Sequence, residues 1–160
     1  MVDGVRKATE SVDTYNCIYD ILSNNLTDPL TGRAVAEFIR SGYPNPTEYN
    51  SCKAGATWQF PIIVIEIGDS IREPATIDAA QTISKGTIDV TIEVHSAKNQ
   101  LEKNQLRDAV IHALYSNNET LTTNAALGNM MLLGTTSDTE FLGNHKVRVS
   151  RITLRFSRID

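Results

Sequence analysis

At 160 residues, with 41% hydrophobic and 21% charged side chains, the chain fits one ordinary globular domain that buries about two-thirds of its unfolded surface. Its net charge of −4 argues against a general nucleic-acid binder held by phosphate attraction. No apolar run approaches the roughly 20 residues of a membrane helix, and the Met1-Val2-Asp3-Gly4-Val5 start lacks the apolar core of a signal peptide. Synthesis in a reducing cytosol is expected from this. Cys17 and Cys52 therefore read as free thiols, and without CxxC spacing they do not make a zinc site.

The first element is a helix over residues 3–24. Val5, Ala8, Val12, Tyr15, Tyr19, Leu22 and Leu26 recur at three- and four-residue spacing, with Ile18 beside them. Asp28-Pro29 has the form of a second helix start, with Asp as N-cap and Pro at the first helical position. Leu30, Ala34, Phe38 and Ile39 would form its short apolar face. Residues 43–60 then read as a long polar loop punctuated by Pro44, Pro46 and Gly55. Its aromatics Tyr43, Tyr49 and Trp58 either pin the loop to the body or form part of a partner surface.

Residues 61–67 are β-branched almost throughout, which predicts a strand covered on both faces and central in its sheet. A second polar excursion, 68–85, carries Arg72 and Glu73. It is a protruding hairpin connection if the flanking strands pair antiparallel. Residues 86–95 alternate strictly: Ile88, Val90, Ile92 and Val94 on a buried side, and Thr87, Asp89, Thr91, Glu93 and His95 on a wet one. The period then changes, and Leu106, Ala109, Val110, Ala113 and Leu114 mark one stripe of a helix over 101–114.

Residues 120–127 read as a short helix or a turn. Met130 opens another strand, with 134–138 as a bulge or a continuation towards Phe141, and Gly143-Asn144 as a hairpin turn. In the last strand, 145–159, the apolar residues shift from odd positions (Val147, Val149) to even ones (Ile152, Leu154, Phe156). That parity change predicts a bulge near Ser150-Arg151. The order α-(α)-β-β-α-β-β predicts a single α+β domain over residues 1–160, with a mostly antiparallel four-stranded sheet and helices on one face.

Chemistry is sparse. Gly68-Asp69-Ser70-Ile71 follows an apolar strand and is similar to the opening of Gly-Asp-Ser-Leu hydrolases, whose serine is the nucleophile. No Asp-x-x-His follows to supply a base; Asp108 and His112 are four apart on the expected helix. A strand-terminating turn is the plainer reading. His95, His112 and His145 show no ligand spacing, so neither metal nor cofactor is expected. The strongest charge feature is the last strand, where Lys146, Arg148, Arg151, Arg155 and Arg158 supply a third of the positive charge. These residues either pair across the sheet with Asp89 and Glu93, or meet an acidic neighbour such as another copy of the chain.

Several of these features together resemble a known family. Leu26-Thr27-Asp28-Pro29-Leu30 after a first helix, Phe60-Pro61-Ile62-Ile63-Val64-Ile65-Glu66 as first strand, the alternating strand 86–95, then helix and hairpin, are similar to the tail terminator or tail-completion proteins of long-tailed, siphovirus-type bacteriophages. The resemblance implies a non-enzymatic virion component that assembles as a ring, usually a hexamer. Such a ring caps and terminates the tail tube and provides the head-docking surface. The implied partners are further copies, the tail-tube protein and a head connector or neck protein, with DNA passing through without sequence-specific binding and no membrane involved. On this chain the expected contact surfaces are the two excursions, with Tyr43, Tyr49, Trp58, Arg72 and Glu73, and the charged strands, with Asp89, Glu93, Arg148, Arg151, Arg155 and Arg158. A neck, head-completion or tail-tube protein is the alternative within virion structure, and a serine hydrolase using Ser70 is the alternative outside it.

Overall fold

The computed structural model describes residues 3–42, 60–74, 84–142 and 145–159. Four helices and five strands occur among them: α1 (Asp3–Asn25), α2 (Val35–Phe38), β1 (Ile39–Arg40), β2 (Ile62–Pro74), β3 (Ser84–Ser96), α3 (Gln100–Ser116), α4 (Asn118–Ala125), β4 (Leu127–Leu142) and β5 (His145–Ile159). The sheet order is β1-β2-β3-β5-β4. Every neighbouring pair is antiparallel except β1 with β2, which run parallel. The chain is therefore α+β as expected, but the sheet is mixed and five-stranded. The extra strand is Ile39–Arg40, which leaves α2 directly into an extended backbone and joins the edge of β2 at Ile63 and Val64.

One face of the sheet carries the main core. Ile63 and Ile65 of β2, Ile88, Val90, Ile92 and Val94 of β3, and Ile152, Leu154 and Phe156 of β5 are sealed against α1, α3 and α4. On α3 the buried residues Val110, Ala113 and Leu114 fall on the stripe expected from the sequence, with Leu106 packed partly against the core. On α1 the stripe is rotated. Thr14, Cys17, Ile18, Ile21 and Leu22 are buried, Tyr15 and Tyr19 are half-buried, and Val12 is exposed. The two tyrosines stack on each other at a centroid distance of 5.9 Å and shield the helix flank.

The expected second helix is mostly absent. Asp28 does not cap it; its Oδ1 accepts from the Leu30 N–H at 2.9 Å, closing a local turn. The same carboxylate takes both Nε (2.8 Å) and Nη2 (2.7 Å) of Arg33, whose Nη2 also donates to the Pro61 carbonyl at 2.8 Å. This pair ties the segment after α1 to the start of β2, and leaves only one helical turn, Val35–Phe38. Burial opposes ionisation of Asp28, but the Arg33 guanidinium and the Leu30 N–H outweigh it and hold the carboxyl below the usual carboxylate range.

The described parts of the 68–85 excursion are strand. β2 runs on to Pro74 and β3 begins at Ser84, paired antiparallel with a register shift between Ile67 and Ser70. Gly68 permits that shift, because a Cβ there would lie 3.0 Å from the Asp89 carbonyl oxygen. The predicted bulge in β5 is also corrected: its ladder to β3 is unbroken from Arg148 to Ile159. Val147 and Val149 are buried on the opposite face of the sheet, together with Ile62, Val64 and His95, outside the main cluster. Both faces of β5 are thus covered near its start. The register shifts lie instead in β4, between Gly128 and Met131 and between Leu132 and Gly134. Asn129 takes up the first with a positive φ of 49°, a conformation Asn tolerates better than most side chains.

Candidate functional site

On the face away from the helices, three strands assemble a ladder of charge. Asp89 and Arg155 are direct cross-strand partners, and Arg155 donates Nε and Nη2 to the two Asp89 oxygens at 2.7 and 3.0 Å. The Arg155 hydrogen bonds hold the Asp89 carboxyl low. Four residues further along, Glu93 pairs with Arg151. Arg151 also donates to Glu140 of β4 at 3.1 Å and lies 3.7 Å from an Asp138 oxygen. The second oxygen of Glu93 is 3.1 Å from Nε2 of His95, two residues on and on the same face. Glu93 and His95 are both buried, so the side read as wet is wet only from Thr87 to Thr91.

These contacts decide between the two sequence readings of the basic strand for Arg151 and Arg155, whose charges are met within the chain. Arg158 is different. Its register with Gly86 places it on the helix face, where it is buried and donates to the Thr14 hydroxyl at 3.4 Å. Arg148, paired with Ser96 and Thr139, also faces the helix side, at the N-terminal end of α3. Tyr43, Tyr49, Trp58 and Cys52 lie outside the described residues. Arg72 and Glu73 stand on β2 opposite Gly86 and Lys85.

Ser70 lies within β2, paired with Ile88, rather than in a turn ending the strand. His112 stands exposed on α3, 3.4 Å from the Ser116 hydroxyl, far along the chain from His95 in its buried pair. Among the described residues, no three His, Cys, Asp or Glu side chains are grouped to hold a metal ion. Cys17 is a buried free thiol whose pKa is raised by burial and by the nearby Asp20 charge.

The feature that the sequence did not flag is the outer strand. Among the described residues, β4 hydrogen-bonds to β5 on one side and ends the sheet on the other. Residues 131–139 are exposed without a break, including Met131 (57%), Leu132 (38%) and Leu133 (43%), and Phe141 further on is 73% exposed. A long edge with apolar side chains offers unpaired backbone donors and acceptors to another strand, which isolated proteins normally avoid. The other side of the sheet is also open in part. β1 covers β2 only at Ile63 and Val64, so the outer edge from Ile65 to Pro74 has no ladder partner among the described residues. No helix among the described residues is long and apolar enough to cross a membrane. Neither a protein-family model nor a curated protein matches the chain.

Proposed function

We propose that this chain is a structural virion protein of the tail-terminator kind, which assembles as a ring, closes the growing end of a phage tail tube and presents the head-docking surface. The observation that carries the reading is the open edge of β4, exposed over 131–139 with apolar side chains along it. Its complement is the outer edge of β2 beyond Val64. Strand directions follow from the pairing: β2 and β5 run one way, β3 and β4 the other. A neighbour continuing the sheet in the same orientation would therefore set its β2 antiparallel to β4. That contact is heterologous, head to tail, and closes into a ring when the rotation between copies allows it. The overall charge of −4 suits a channel that passes DNA without holding it.

The same open edges favour a second reading, a tail-tube protein, in which the head-to-tail contact stacks further instead of stopping at one ring. Electron microscopy separates the two. Purified protein added to tail tubes should cap one end and halt elongation. Spontaneous filaments would favour the tube protein, and tubes that grow unaffected would sink the terminator reading.

A further inference from the structure

We propose that the cleft between the first turn of α3 and the β4–β5 hairpin binds a phosphate group, held by Lys103 and Arg148 with the hydroxyls of Ser137 and Thr139. The cleft has a volume of about 270 Å³ and is lined by these four residues with Gln100 and Asp138. Lys103 is the unusual member. It extends the buried stripe of α3 one turn towards the helix start, and only 2% of it is exposed. Its ammonium donates to the Ser137 hydroxyl at 3.0 Å, and no carboxylate among the described residues lies within ion-pair distance of it. Among the described residues, the charged groups that lower its pKa are Arg107 and Arg148, both positive, although Arg107 itself pairs with Asp108 at 2.9 Å.

A buried ammonium that shares its cleft with the Arg148 guanidinium is costly unless an anion joins it. Burial first, and then the two arginines, pull the Lys103 pKa below the usual lysine range; a bound anion would act in the opposite direction by favouring the charged ammonium. The remaining groups suit a tetrahedral oxyanion. Ser137 and Thr139 alternate onto the same side of β4 as Arg148 on β5, and offer hydroxyl donors. The positive end of α3 starts at Gln100 and adds to the attraction. Asp138 does not oppose it strongly, because its carboxylate is turned to Arg151 on the far face and to the Thr139 N–H. Ser150, the cross-strand partner of Ser137, is buried with its Oγ unpaired, so this end of the sheet has polar capacity to spare.

The proposal rests on this cleft alone and not on ring assembly. The phosphate could be free or belong to a nucleic-acid backbone, and two titrations of the full chain distinguish these. Calorimetry with sodium phosphate at constant ionic strength should show saturable binding at one site per chain. Lys103→Gln and Arg148→Gln should each weaken it by about tenfold or more, as expected for a lost charge-assisted bond. Circular dichroism melts serve as the folding control; should Lys103→Gln fail to fold, Arg148→Gln carries the test. In the second titration a short DNA duplex replaces phosphate. Binding that competes with phosphate and weakens in the same variants assigns the site to backbone phosphate, and phosphate binding without DNA binding assigns it to the free ion. Absence of both, or binding unchanged in both variants, overturns the proposal.

Discussion

β3 and β4 are strands of one sheet, similar in length and separated only by β5, yet they are held in different ways. β3 has a ladder on each side, and its register to β5 runs unbroken for twelve residues. Its alternate residues Ile88, Val90, Ile92 and Val94 are fully buried under the helices. Among the described residues β4 has one ladder, with two register shifts, and an outer half exposed on both faces. Both segments are rich in apolar and threonine residues, so strand-forming character does not distinguish them. The difference lies in what surrounds them: β3 organises the fold, whereas β4 is stable enough to persist and leaves a surface unspent.

The contrast can be broken most severely at β3. Ile92→Asp places an unpaired charge in the core, at a cost of several kcal/mol against a total stability of about 5–15 kcal/mol. The variant should lack a cooperative thermal transition by circular dichroism; a soluble variant with a normal melt would mean the strand's faces are misassigned. A smaller effect is expected at the edge of the sheet that β1 shares with β2. Asp28→Asn loses the charge-assisted bonds from Arg33 and should cost ~2 kcal/mol, lowering the melting temperature by about 4–8 °C. The Asp28 carboxyl is held lower in the folded chain than its unfolded value of about 3.9. Its stabilisation is therefore complete above that pH and is lost as pH falls through the depressed folded value. The gap between the melts of wild type and variant should accordingly hold near pH 6 and narrow as pH falls below about 4, and a gap that stays constant down to the lowest pH at which both fold would remove the ion pair as its cause. The smallest effect belongs to the exposed ladder. Arg155→Glu sets like charges opposite each other at Asp89 and should lower the melt by less than Asp28→Asn, leaving the fold intact.

Strict alternation identified the buried face of β3, and the three- and four-residue spacing identified the stripe of α3, because one face of each element is covered by one neighbour. The same rule misread β5. Val147 and Val149 followed by Ile152, Leu154 and Phe156 have the parity of a bulge, but also that of a straight strand whose two faces are covered at different points along it. On α1 the rotation came from Thr14 and Cys17, which pack inward although they are not large apolar residues, while the amphipathic Tyr15 and Tyr19 stay at the flank. That Asp89 and Glu93 could meet basic residues of β5 was legible from opposite charges on neighbouring strands, but that Arg155 and Arg151 are the partners came from the register. The open edge of β4 was not, since strand order depends on contacts between distant segments. Lys103 could have been found by extending the α3 stripe one turn upstream, although a lysine on that stripe more often snorkels to water than stays buried without a counter-charge.

The central claim is that β4 is where copies of this chain meet. Native mass spectrometry of the wild type and of a Met131→Lys, Leu133→Lys variant tests it most directly. Both residues are exposed, so the substitutions should leave the melting temperature nearly unchanged, while lysines on an edge oppose pairing with another strand. The account predicts a single closed oligomer for the wild type and monomer for the variant. A wild type that stays monomeric at every concentration, or a variant that assembles equally well, would contradict it.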